Sequence, residues 1–130
     1  MNDNTTLLKM LYEEEVSDIR RVTHYKDPNL DFEDILRKDV GLQFVSTHFR
    51  RFMTVINMFD QGALITGEDF FYASFILSQE EGIDHFALGC MFAQVAKRLG
   101  FSGNKTVPDV NVYVQQLQNA FTAKVTGQVL

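Results

Sequence analysis

The sequence predicts an all-α protein, a single-domain bundle of about five helices that includes a C-terminal helical hairpin. Apolar residues recur at spacings of three and four along most of the 130 residues. Glycine, proline and capping residues separate these stretches, and no segment has the alternation or the Asn-Gly turns of a hairpin sheet. With 45% hydrophobic and 22% charged residues, a chain of this length can bury a genuine core as one domain, residues 1–130.

The first helix is predicted over residues 5–26, because Asn4 is a good N-cap and an apolar stripe with a helical period follows it. Pro28 cannot continue this helix, so we place a turn at residues 27–31.

The second helix is predicted over residues 32–58, after the capping residue Asp31, with Gly41 as the expected place for a bend or break. Its apolar residues follow the spacing 3, 4, 3, 4, 3, which is typical of a helix packed lengthwise on a partner. We call this set the heptad stripe, and it consists of Leu42, Val45, Phe49, Phe52, Ile56 and Phe59.

The third and fourth helices, residues 67–80 and 84–99, are predicted to form an antiparallel hairpin. Thr66 and Asp69 have the spacing of a capping box, we expect Gly82 to end the third helix, and Asp84 can cap the fourth. Small residues of the fourth helix should let the two axes approach closely: Ala87, Gly89, Cys90 and Ala93.

The fifth helix is predicted over residues 108–123, with Pro108 at its first position and "TAKVTGQVL" as a frayed tail. We expect seven of the apolar residues in the bundle to be buried: Val45, Phe49, Phe52, Ile56, Phe75, Phe92 and Leu117.

Motifs that carry chemistry are scarce. The sequence contains no phosphate loop, dinucleotide fingerprint, His-Glu-x-x-His, Cys-x-x-Cys or Gly-x-Ser-x-Gly, so we expect no cofactor. His24, His48 and His85 are far apart, and none has a second His or Cys three or four residues away to form half of a metal site. We therefore expect no metal.

Charge and composition argue against two classes of partner. A net charge of −5 opposes binding to a phosphate backbone, so we expect no nucleic acid. The longest near-apolar run, residues 70–77, is much shorter than the roughly 20 residues that span a bilayer, so we expect no membrane segment. A single cysteine, Cys90, and an N-terminus without the pattern of a secretory signal predict a cytoplasmic protein.

Two groups of charged residues are candidates for a site. Glu14, Asp18 and Arg21 share one face of the first helix, either as a paired-carboxylate site or, as we prefer, as a solvated face. Arg50 and Arg51 could clamp an anion, although pairing with the acids at positions 13–15 is the favoured interpretation. We treat these five residues as interface candidates.

An apolar ligand site is a further alternative. Twelve phenylalanines and five methionines without a tryptophan can leave an adaptable groove, for which we name Phe71, Phe75 and Met91.

The segment "DQGALITGEDFFYASFILSQEEGIDHFALGCMFAQVAKRLGF", residues 60–101, resembles the middle of an uncharacterised bacterial all-helical family. That family has a Gly-Ala-Leu-x-Thr loop before Glu-Asp-Tyr-Tyr-x-Ala-Ala, then Gln-His-Gly and a helix ending in Leu-Gly. Ser78 and Gln79 stand where the family has Gln-His, and its closing Asp-Arg and Gly-Thr-Gln elements have no counterpart here. If the family is enzymatic, the resemblance implies a member without the imidazole for acid–base chemistry.

These observations predict a small acidic non-catalytic protein-binding module, such as an adaptor, an immunity-type protein or an inhibitor encoded by a phage or mobile element. The expected partner is another protein, and a homodimer is one form that this binding can take. Two alternatives remain open: a small hydrolase-like enzyme using Asp18, Arg21 and Asp69, and a sensor for an apolar ligand.

Overall fold

The computed structural model describes the backbone of residues 3–24, 32–80 and 82–127, and the side chains of residues 3–21, 44–80 and 82–127. Over these ranges the chain forms five helices and no strand, which confirms the predicted all-α class. The helices are α1 (Asp3–His24), α2 (Phe32–Asp60), α3 (Gly67–Leu77), α4 (Ile83–Arg98) and α5 (Val110–Thr126).

The short helix α3 lies at the centre of the bundle. It packs on α4, α1 and α2, while α5 packs on α4 and α1 lies along α2. Eight of its eleven residues are buried, because helices surround it and it has almost no polar face. The core around it joins aromatic rings from several elements: Phe71 is 4.6 Å from Phe101 and 5.2 Å from Tyr113 between ring centroids.

The close contact between α3 and α4 involves Gly89, one of the four small residues that we expected to permit it. A Cβ atom at Gly89 would lie 3.2 Å from the Leu77 side chain and 3.2 Å from the carbonyl oxygen of Ser74. The start of α3 is also as predicted, because Thr66 and Asp69 form a complete capping box.

Several predicted helix ends are wrong. Helix α3 ends at Leu77 with Ser78 as its C-cap, so Gly82 does not terminate α3 but is the N-cap of α4. Asp84 consequently lies in the first turn of α4 and is not its cap. Asp109 accepts a hydrogen bond from the backbone of Asn111 and caps α5, which leaves the predicted first residue, Pro108, outside the helix.

Two further expectations are wrong, because α2 and α5 continue where we expected a break or an end. Helix α2 passes through Gly41 without interruption, and α5 extends to Thr126, so most of the predicted frayed tail is helical. Gly127 ends α5 in the left-handed conformation that glycine adopts readily. The predicted end of the first helix at Lys26, the turn at residues 27–31 and the last three residues lie outside the described ranges.

The heptad stripe is not the buried face of α2. Phe52 and Phe92 are buried as predicted, whereas Ile56, Phe75 and Leu117 are partly buried. The prediction is wrong for Val45 and Phe49, whose side chains are 62% and 58% exposed, and Leu42 lies outside the described side chains.

The side chains that α2 turns inward lie next to the heptad stripe on the helix surface. They are His48, Arg51, Phe52, Val55 and Met58, which follow the 3.6-residue period of a single face. This face includes a charged residue, and a search for apolar periodicity therefore passes over it. Among the described side chains of α2, only Phe52 belongs to both the heptad stripe and the buried face.

Two neighbouring phenylalanines of α2 test this assignment. Phe52→Ala should lower the free energy of unfolding by about 3–5 kcal/mol, because it leaves a cavity in the core. Phe49→Ala makes the same chemical change at an exposed position and should cost less than about 1 kcal/mol. Urea denaturation of the two variants measures the difference, and equal losses would contradict the orientation of α2.

Candidate functional site

A network of ionisable side chains is buried where α1, α2 and the end of α3 meet. Glu15 is fully buried, Arg51 is 2% exposed and His48 is 7% exposed. Burying such groups is costly unless each one finds a partner of opposite charge. All three do so across helices, since Glu15 belongs to α1 while His48 and Arg51 lie one turn apart on α2.

The guanidinium of Arg51 holds the acids of α1. Its Nε donates to Oε1 of Glu15 at 2.7 Å, and its Nη2 donates to Oδ2 of Asp18 at 2.8 Å. Its Nη1 lies 3.7 Å from Oε2 of Glu14 at the solvent edge. Thr47 supports the arrangement by donating to the same oxygen of Asp18 at 3.2 Å. The planar fork of arginine suits such convergent carboxylates.

His48 links Glu15 to the residues that follow α3. Its Nδ1 is 2.5 Å from Oε2 of Glu15, and its Nε2 is 2.8 Å from Oε1 of Glu80. Phe44 stacks on the imidazole, with ring centroids 5.6 Å apart. Burial lowers the pKa of His48, but the hydrogen bonds and charges of Glu15 and Glu80 outweigh it and raise the pKa above 6.5. The doubly protonated imidazolium satisfies both carboxylates.

This network can hold helices together, but it is poorly suited to catalysis. A histidine acting as general base needs a ring nitrogen that can reach the substrate, and both nitrogens of His48 are bound to carboxylates. Among the residues that the structure describes, no three His, Cys, Asp or Glu side chains are placed to share a metal ion.

The predicted interface residues lie along a groove between α1 and α2, with a volume of about 990 Å³. Glu14, Arg21 and Arg50 are exposed on its walls, and Arg21 lies 3.4 Å from Asp18. Arg51 requires a correction, because its side chain is buried and cannot contact a partner. Its pairing with the acids of α1 agrees with the favoured interpretation, whereas Arg50 has no ion pair within the described residues.

Asp69 has a structural environment of its own. Its carboxylate accepts a hydrogen bond from the hydroxyl of Thr5 at 2.5 Å and others from the backbone nitrogens of Ile65 and Thr66. Thr5 and Asp18 belong to the same helix, and thirteen positions separate them by about 20 Å. The structure therefore does not bring Asp69 together with Asp18 and Arg21.

The three residues named for an apolar groove do not line one surface. Phe71 is completely buried in the core, Phe75 is partly buried on the same helix, and Met91 is 60% exposed on α4. The predicted groove formed by these residues is wrong, because Phe71 and Phe75 use their surface to pack against Tyr12.

An apolar surface does exist elsewhere, on the outside of α2 and α4. The ring of Phe52 lies 4.8 Å from that of His85, and the ring of Phe59 lies 4.9 Å from that of Phe92. Both pairs advance by seven residues, so α2 and α4 run in the same direction and meet through these aromatic side chains. Their outer surfaces expose large apolar side chains: Val45, Phe49, Met53, Phe59, Met91 and Leu99.

The sequence interpretation missed the buried network, although part of its signal was available. His48 and Arg51 share a helix face with Phe52 and Val55, and a polar pair on an apolar face needs buried partners. The partners Glu15 and Glu80 come from distant positions, 33 and 32 residues away from His48. Their identity could not be read from local spacing.

Comparison with known proteins gives no relative: no family model matches the sequence, and neither a curated protein nor a solved structure shows significant similarity to it. The resemblance of residues 60–101 to a bacterial helical family therefore stays a prediction. None of the helices in the described part of the chain combines the length and the apolar character needed to cross a membrane.

Adjacent arginines provide a test of the buried network. Arg51→Met should lower the free energy of unfolding by about 3–5 kcal/mol, because Glu15 would be left buried without its main partner. Arg50→Met removes the same charge from an exposed position and should change stability by about 0.5 kcal/mol or less. Chemical denaturation at pH 7 compares the two, and a tolerated Arg51→Met would show that the network contributes little.

The raised pKa of His48 predicts a pH dependence with a definite sign. Because the folded pKa exceeds the unfolded value of 6.5, the stabilisation is fully present below pH 6.5 and is lost as pH rises through the folded pKa. The difference in unfolding free energy between wild type and His48→Gln should therefore shrink as pH rises above 6.5. Urea denaturation at a series of pH values measures this difference, and one that stays constant or grows as pH rises would contradict a protonated His48 in the network.

Proposed function

We propose that this protein is a non-catalytic protein-binding module whose heptad stripe on α2 accepts an amphipathic helix of a partner protein. The observation that carries the proposal is the exposure of Val45, Phe49 and Phe59 at the positions where the sequence has its most regular apolar spacing. Such spacing suits a helix that packs along another helix. Within the described part of the chain, α2 uses a different face for its own core.

The exposure of three apolar side chains in a row along α2 supports the same proposal. The largest apolar patch on a typical monomer measures roughly 300–600 Å² and is often functional. Val45 and Phe49 alone expose more than half of their side chains, and Met53 extends the patch with 38% exposed. A partner helix with anchors spaced by three and four residues would bury these side chains together.

The charged groove between α1 and α2 is a weaker candidate for the same role. Arg51 is buried, and Asp18 already accepts hydrogen bonds from Arg51 and Thr47. Glu14, Arg21 and Arg50 remain exposed there and can influence the rate at which a charged partner approaches. The enzyme alternative has less support, because Asp69 is engaged in capping α3 far from Asp18.

A pair of valine substitutions tests the proposed interface. Val45→Asp places a charge in the heptad stripe, whereas Val112→Asp makes the same change on α5, where the valine is 51% exposed. We expect the wild type and Val112→Asp to retain a specific protein from a host extract, and Val45→Asp to lose it by about tenfold or more. Affinity capture with quantitative mass spectrometry measures the effect.

Circular dichroism melting should first show that both variants remain folded. If Val45→Asp retains the same proteins at the same level as Val112→Asp, the heptad stripe is not the interface. A turnover detected in the wild type and lost in Asp18→Asn would favour the enzyme alternative.

A further inference from the structure

The outer side of α4 carries a second regular pattern, next to the heptad stripe but distinct from it. Its members, which we call the α4 stripe, repeat at spacings of 4, 3, 4 and 3 residues along one side of the helix: Asp84, Leu88, Met91, Val95 and Arg98. Met91 at the centre is 60% exposed, and Leu88 and Val95 are half-buried beside it. The apolar centre of the α4 stripe is therefore flanked by an acidic residue towards the N-terminus of the helix and by a basic residue towards its C-terminus.

The two charges at the ends are placed symmetrically about Met91. Asp84 lies seven residues before Met91, and Arg98 lies seven residues after it. Both side chains are exposed, and neither forms an ion pair among the residues described. About 21 Å of helix separates them, so they cannot reach each other within one chain.

We propose that the α4 stripe binds a second copy of this chain, with the two α4 helices antiparallel about a two-fold axis at Met91. In that arrangement position 84 of each copy faces position 98 of the other, because both lie seven residues from the axis. Each Asp84 then meets an Arg98, and the two Met91 side chains meet at the centre. A two-fold interface needs such self-complementarity, in which residue i contacts j and j contacts i.

The charge of the whole protein favours this surface for self-association. Two copies with a net charge of −5 each repel one another, so surfaces that add no further contacts between like charges are favoured for self-association. The α4 stripe has one acid and one base, and antiparallel pairing matches both of them. A uniformly acidic or basic partner would match only one of the two charges and place a like charge against the other.

One apolar neighbour on the same helix enlarges the surface that a second copy would cover. Leu99 follows Arg98 directly and is 53% exposed. This surface of one helix is smaller than the roughly 800 Å² per partner of a standard interface. We therefore expect a reversible dimer with a dissociation constant in roughly the micromolar range.

A charge swap tests the pairing directly. In sedimentation equilibrium the wild type should dimerise. Asp84→Arg alone or Arg98→Asp alone should raise the dissociation constant of the dimer about tenfold. The reason is that each substitution places two like charges opposite each other at two places in the dimer. The double variant Asp84→Arg, Arg98→Asp should restore the wild-type value. Both residues are exposed at the ends of α4, and a melting curve checks that the fold is retained.

Cross-linking at the axis tests the register independently. In a Cys90→Ala background, Met91→Cys should form a disulfide between copies under mild oxidation, because the two-fold axis brings the two positions 91 together. Val112→Cys in the same background is also exposed on a helix and should not cross-link.

Three outcomes would overturn the dimer. The wild type could be monomeric at about 100 micromolar, the single charge variants could dimerise as tightly as the wild type, or the double variant could fail to recover the wild-type dissociation constant. This inference does not rest on the heptad stripe. A wild type that is monomeric yet loses its captured protein on Val45→Asp would refute the dimer and leave the proposed function intact.

Discussion

The hydrogen-bonded contact between Glu15 and Arg51 fixes the orientation of α2, and much of the remaining structure depends on it. Glu15 is completely enclosed, so α2 must present Arg51 and His48 to it to avoid leaving a buried carboxylate unpaired. His48 in turn contacts Glu80, and the network thereby joins α1, α2 and the segment that follows α3. Removing one member leaves the others buried without their partners, which costs more than the intact network contributes.

This orientation of α2 explains why an acidic protein has an apolar outer surface. A helix with two amphipathic faces can bury only one of them against α1 and α3. The polar network selects the face that contains His48, Arg51 and Val55, and Val45, Phe49 and Phe59 of the heptad stripe are left on the outside. Buried ion pairs often add little net stability. Here the network determines which of two amphipathic faces of α2 is buried. The proposed interface is therefore a consequence of how the core is built.

The outer surfaces of α2 and α4 are neighbours with different recognition chemistry. The heptad stripe is apolar and suits a partner helix, whereas the α4 stripe ends in an acid and a base that form no ion pair with any described residue. Ring contacts between Phe52 and His85 and between Phe59 and Phe92 keep the two helices aligned. A dimer formed through α4 would hold two copies of the heptad stripe in one particle, and two linked binding sites increase the avidity for a repeated partner.

The sequence by itself determined the features that depend on local chemistry: the five helices, the capping box of Thr66 and Asp69, and the close approach at Gly89. Helix ends near Gly82 and Pro108 were misplaced because a glycine or proline suits more than one position around a terminus. The tertiary structure alone decided which face of α2 is buried. That choice depends on Glu15, His48 and Glu80, which are distant in sequence, and the cost of an unpaired buried charge outweighed the regular spacing of the heptad stripe.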